Sequence, residues 1–99
     1  MAIGTSTNGN ELKIQVEGRF DFSAHQEFRD AYEKAESNVN SYVIDMANAT
    51  YLDSSALGML LLLRDHAGGD NATVRITNCN ADVRKILTIS NFEQLFSIE

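Results

Sequence analysis

Hydrophobic and polar residues alternate one by one through residues 11–17, where Lys13, Gln15 and Glu17 separate Leu12, Ile14 and Val16. A period of two sends the two sets to opposite faces of a strand, so the segment reads as a half-buried strand with one wet face. Asn8-Gly9-Asn10 ahead of it is a turn signal, which makes residues 2–6 and 11–17 the arms of a hairpin. Gly18 is expected to end the second arm. Ser23 and Gln26 then stand at capping-box spacing, in which each side chain satisfies a backbone N–H at a helix start. Beyond them Ala24, Phe28, Ala31 and Ala35 recur at helical spacing, with Glu27, Asp30, Glu33 and Lys34 largely on other faces. That is an amphipathic helix packed on a sheet.

The period changes again at residues 41–46, SYVIDM, a short continuous apolar run of the kind expected for a central strand covered on both faces. The next residues are read as a loop leading into a helix from about Ser54 to Ala67, stopped by Gly68 and Gly69. Residues 73–77, TVRIT, alternate as a further strand. Asn80 or Asn78 caps a helix that carries Val83, Ile86 and Leu87 on one face. Residues 90–98 are expected to make a helical turn and a last strand near Phe96–Ile98. The order β-β-α-β-α-β-α-β predicts an α/β fold over residues 1–99: one domain, with a mixed sheet of about five strands packed with three to four helices.

Composition narrows the function more than the fold. The chain has 99 residues, 43% of them hydrophobic, with a net charge of −6 and no basic cluster. Nucleic-acid binding by phosphate neutralisation is therefore not expected. Its longest apolar run, Met59–Leu63, is too short to span a bilayer, and the N-terminal residues lack the pattern of a signal peptide. A cytoplasmic domain without a membrane or nucleic-acid partner is the expectation. One cysteine, Cys79, excludes an internal disulfide and a cysteine-rich zinc site. It lacks the basic neighbours that stabilise a thiolate. No metal-ligand cluster is present, and no cofactor is implied.

The candidate chemistry lies where Asp53, Ser54 and Ser55 meet the predicted helix start. The first N–H groups of a helix have no intrahelical partner, and an Asp or Ser side chain there can accept from them. A cap and a phosphate switch are compatible at such a position, since a helix N-terminus also tolerates a phosphate. Ser54 is read as both helix-start residue and phosphoacceptor, and Ser55 as a neighbour that helps to cap. The run Met59–Leu63 exceeds what one buried stripe requires. It is mainly core, and any exposed remainder is a docking surface beside the serines. Two like charges about 5 Å apart at an effective dielectric of 20 repel by roughly 3 kcal/mol, about a hundredfold in affinity.

The segments GRFD (18–21), YVIDM (42–46), YLDSSALGMLLLLRDHAGG (51–69) and NADVRKIL (80–87), in that order, resemble a STAS domain of the anti-sigma factor antagonist type. The resemblance covers essentially the whole chain and is closest to the short HsbA-type antagonists of Gram-negative bacteria. It implies phosphorylation at Ser54, with Asp21 and Asp53 as flanking acids. Ser55, Ala56, Gly58 and Met59 would belong to the partner-binding surface, Gly58 as a small helix position that allows close packing. It further implies that the unphosphorylated protein binds an anti-sigma factor, often a serine kinase of the histidine-kinase ATPase fold, and frees a sigma factor. Kinase action would break that contact and a PP2C-type phosphatase would restore it. Two departures stand out: Ala56 replaces a frequent glycine, and the chain stops at Glu99 where many members carry another helix.

An enzyme is not expected. A serine hydrolase would need a base and a G-x-S-x-G elbow, and only His25 and His66 are available. Asp45 could serve a phosphoreceiver domain, but none of Lys13, Lys34 and Lys85 is placed to assist it. The rival reading is a small STAS subunit of a lipid-transport ABC complex, a structural partner of its ATPase.

Overall fold

The alternating segment becomes the second strand of a five-stranded sheet in the computed structural model, which describes residues 2–35, 38–71 and 73–99. Strands β1 (Ala2–Asn8) and β2 (Glu11–Phe20) are antiparallel. Gly9 turns between them at φ +63°, a left-handed conformation that costs glycine little. Strands β3 (Ser41–Leu52), β4 (Val74–Thr77) and β5 (Ser97–Ile98) run parallel to β2, and their order across the sheet is their order in the chain. Helices α1 (His25–Glu33), α2 (Ser54–His66) and α3 (Ala81–Ile89) fill the three crossovers. Each crossover steps in the same direction, and parallel crossovers share one hand, so the three helices fall on one face of the sheet.

The core forms between that face and the helices. Ile14, Ile44 and Ile76 pair in one row across β2, β3 and β4, and each is 0% exposed. Phe28 and Tyr32 of α1, Leu60 and Leu63 of α2, and Val83 and Leu87 of α3 join them in a single cluster. Of the two candidates Asn80 and Asn78, it is Asn80 that caps α3, its side chain accepting from the Val83 N–H. The final helical turn, Phe92–Gln94, and the short β5 also stand where expected.

Four sequence expectations change. The run 42–46 is buried throughout, but among the described residues no helix covers its second face: Val43 is flanked there in register by Lys13 and Arg75. Residues 47–52, read as a loop, extend β3, because Asn48, Ala49, Tyr51 and Leu52 pair with residues 17–20 of β2. Tertiary pairing here overrides weak local strand preference. Gly18 does not end β2. At φ +77° it lies where the β2–β3 register shifts, and the strand continues to Phe20. The capping box at Ser23 and Gln26 is also absent. Asp21 caps a 3-10 turn, Phe22–Ala24, that precedes α1, and Gln26 bonds Asp30 instead.

Candidate functional site: twin caps at the ends of two parallel strands

Strands β2 and β3 end in step, with Phe20 paired to Leu52 and both buried. Each then passes into the same four-residue pattern, Asp-x-Ser-Ala, at residues 21–24 and 53–56. In both, the aspartate is extended (φ −135° and −124°) and its carboxylate accepts from the backbone N–H of the serine two residues on. The serine hydroxyl donates to the same carboxylate oxygen, at 2.5 Å from Ser23 and 2.6 Å from Ser55. Asp53 also accepts from the Ala56 N–H at 3.1 Å. The cap of α2 is therefore Asp53, and neither serine fills that role: Ser54 is the first helical residue, and Ser55 braces the cap through its hydroxyl.

These bonds set the charge at the site. The Ser55 hydroxyl, with the N–H groups of Ala56 and Ser55, holds the Asp53 carboxyl below its ordinary value, against an upward push from partial burial and from the nearby Asp21 carboxylate. Asp21 is lowered in the same way, by the Ser23 hydroxyl and N–H and by Arg19. Two ionised carboxylates thus stand side by side at the helix end of the sheet.

The second position of each pattern takes no part in the cap and faces solvent. It is Phe22, 69% exposed, at the first and Ser54, also exposed, at the second. Phe22 stacks on His25, with ring centroids 5.1 Å apart. On the strand side, the Arg19 guanidinium lies 4.1 Å from the ring centre of Tyr51.

Helix α2 divides its leucine run between two faces. Met59, Leu60 and Leu63 are buried, whereas Leu61 and Leu62 are 41% and 53% exposed. Ser54, Gly58 and Leu62 recur every four residues and form one outward ridge. Ala56 and Met59, which the resemblance assigns to a partner surface, are 0% and 4% exposed. They face the core, because the helix must turn that side to the sheet; Gly58 stays exposed, and Leu61 and Leu62 are exposed beside it. Phe22 was missed, since an aromatic residue reads as core. The repeated Asp-x-Ser-Ala pattern was the signal that could have found it.

A family model described as "Mlab, STAS domain" matches residues 3–97. The chain belongs to the STAS domain family. This STAS domain is 68% identical over 93 residues to a STAS-domain containing protein of Pseudomonas aeruginosa (strain UCBPP-PA14), across 94% of this chain and 92% of that protein. Its fold matches that of the anti-sigma factor antagonist SpoIIAA in its unphosphorylated form, with a TM-score of 0.77 and 17% identity over 99% of this chain and 87% of the other. The phosphorylated form of the Bacillus cell fate determinant SpoIIAA matches with a TM-score of 0.76, also at 17% identity, over 99% and 91%. At such identity the likeness is one of fold.

Asp45, His66 and Cys79 of the STAS domain lie in structural settings away from the twin caps. Asp45 lies on the open face of the sheet, accepting from the Ala47 N–H at 2.9 Å and the Asn78 amide at 3.1 Å, with Lys13 Nζ at 3.4 Å. Burial raises its pKa, but these partners outweigh burial and hold it below the ordinary value. His66 packs its ring 5.0 Å from that of Tyr32. Cys79 is half-buried, and burial pushes its thiol up, which keeps it protonated. Among the described residues no group of three His, Cys, Asp or Glu could hold a metal ion, and no helix is long and apolar enough to cross a membrane.

Proposed function

We propose that this STAS domain is a partner-switching anti-sigma factor antagonist of the cytoplasm, controlled by phosphorylation of Ser54. The observation that carries the reading is the exposure of Ser54 as first residue of a helix already capped by Asp53, with exposed leucines on the same helix. The cap does not depend on the Ser54 hydroxyl, so phosphorylation leaves the fold in place. The phosphate adds about −1.5 to −2 charges beside Asp53 and Asp21, where the helix N-terminus partly offsets them. An apolar contact that closes over Ser54 must then desolvate that charge, and the contact opens.

The unphosphorylated domain binds an anti-sigma factor, or a serine kinase of the histidine-kinase ATPase fold, and a sigma factor is released. In the kinase step the Ser54 Oγ forms a bond to the γ-phosphorus of ATP as the bond to the bridging oxygen of ADP breaks, and a base of the kinase takes the hydroxyl proton. A PP2C-type phosphatase returns the serine by hydrolysis: water bonds to the phosphorus as the Ser54 Oγ–P bond breaks, inorganic phosphate leaves, and the serine oxygen regains a proton. The role is one of binding, with the domain a substrate and not a catalyst.

A pull-down with Ser54→Ala protein, read by mass spectrometry, identifies the partner, and titration with that purified partner tests the switch. Ser54→Ala binds like the parent, while Ser54→Asp or the phosphoprotein binds at least tenfold more weakly. Equal binding by all forms sinks the proposal. Phosphate found on Ser55 after incubation with the kinase and Mg-ATP overturns the residue assignment alone.

The description of the matching family model, "Mlab, STAS domain", favours one second reading, a small STAS subunit bound constitutively to the ATPase of a lipid-transport ABC complex. Under that reading the partner recovered is an ABC ATPase, and Ser54→Asp leaves its binding unchanged.

A further inference from the structure

The two edges of the sheet are built differently. One edge, β5, is two residues long, with Arg75 beside it in register and Glu99 directly after it. Shortness and charge both protect an edge against pairing with another chain. The other edge, β1, has neither. It runs seven residues, AIGTSTN, without a charge or a proline. Its register with β2 continues unbroken from Ala2 to Asn8, so no bulge turns it aside. Among the described residues no strand pairs with its outer side.

The hairpin sets which backbone groups that edge presents. With two residues in the turn, Asn8 and Glu11 form a hydrogen-bonded pair, and bonded and non-bonded pairs alternate from there. Ile3, Thr5 and Thr7 therefore aim their N–H and C=O groups outward, a row that another extended chain completes. Their side chains line a groove of about 520 Å³ on the helix side, together with Glu27 and Asp30 of α1 and Lys34 just beyond it. Because α1 returns from the end of β2 to the start of β3, it runs beside β1 in the same direction.

We infer that β1 pairs antiparallel with β1 of a second copy of this chain, across a two-fold axis at Thr5, and joins the two five-stranded sheets into one. Thr5 then faces Thr5, Ile3 of each copy faces Thr7 of the other, and about six backbone bonds are exchanged. The same axis reverses the two α1 helices, which brings Lys34 of each copy toward Glu27 of the other. The edge is thus complementary to itself in hydrogen bonding and in charge. Repulsion between two copies of net charge −6 is screened beyond about 10 Å in about 0.1 M salt, and β1 carries none of that charge. Pairing uses up both edges at once, so association closes at two. This surface lies two strands away from β3, which leads into Ser54, and the inference stands apart from the phosphate switch.

Sedimentation equilibrium of the purified protein between about 1 μM and 1 mM is expected to show monomer and dimer in exchange. Thr5→Pro removes an outward N–H and no bond to β2, and weakens dimerisation by about tenfold or more. Lys34→Glu, on an exposed side chain, weakens it by about fivefold, and adding Glu27→Lys restores it. The Lys34→Glu monomer keeps a thermal midpoint within about 2 °C of the parent monomer, which separates pairing from folding. A parent that stays monomeric up to about 1 mM overturns the inference. So does a dimer that either Thr5→Pro or Lys34→Glu leaves at full strength, since the contact then lies elsewhere. A monomeric parent whose Thr5→Pro form loses a different protein gives the edge to an extended segment of that protein, and self-pairing is overturned as well.

Discussion

At the residue scale, Asp53 performs two tasks with one carboxylate. It accepts from the Ser55 and Ala56 N–H groups, and it ties down the Ser55 hydroxyl, leaving Ser54 as the exposed one of the two serines. The motif and its place at a helix start were legible in the sequence. Which of three adjacent polar side chains caps was not, because Asp and Ser cap almost equally well and only the backbone angles at residue 53 decide. Asp53→Ala is expected to lower stability by about 1 kcal/mol, the usual loss for a missing cap. Urea unfolding checks it, and an unchanged midpoint would mean that another group holds the helix end.

At the scale of elements, the row Ile14, Ile44 and Ile76 fixes how the strands stack beneath the helices. Its middle residue has neighbours on both sides, and the helix layer closes over it. Ile44→Ala should therefore destabilise by about 2–5 kcal/mol, since little of the cavity can collapse. A loss below about 1 kcal/mol in urea unfolding would show that the layers are free to repack. Helix existence was readable from spacing, and for α2, observed at Ser54–His66, so was its extent; for α3 the sequence left Asn80 and Asn78 open as the cap. The second half of β3 was not readable. Ala47, Asn48 and Ala49 are poor strand formers, and Asn48 and Ala49 are extended because they pair with Glu17 and Gly18 of β2.

At the scale of the whole molecule, the helices of the described residues lie on one side of the sheet, and its other face carries polar pairs: Lys13 with Asp45, and Arg75 with Glu11 and Glu99. Asp21, Asp45 and Asp53 all have lowered pKa values in the folded state. A carboxyl lowered on folding stabilises the fold above its unfolded pKa, about 3.9, and that contribution is lost as pH falls through the lower folded value. Stability from these groups should stay level between about pH 5 and 8 and decline below about pH 4. Asp45→Asn is expected to start less stable at neutral pH and to show a shallower acid decline. Urea midpoints measured from neutral pH down to about pH 2.5 test both, and a parallel decline in the two proteins would remove Asp45 from the account.

The sequence by itself determined the α/β alternation, the hairpin, the extent of α2, the existence of α3, and the placing of two serines at a helix start, all of them consequences of period and local capping chemistry. Only the tertiary structure decided that the helices share one face, because strand order sets that. It also decided that Ala56 and Met59 turn inward while Gly58 and Leu62 turn out, since a helix of mostly apolar residues does not say which side meets the sheet. The pairing of Phe20 with Leu52 did the rest. It brought two Asp-x-Ser-Ala caps, separated by a whole crossover in the chain, to stand beside each other around Ser54.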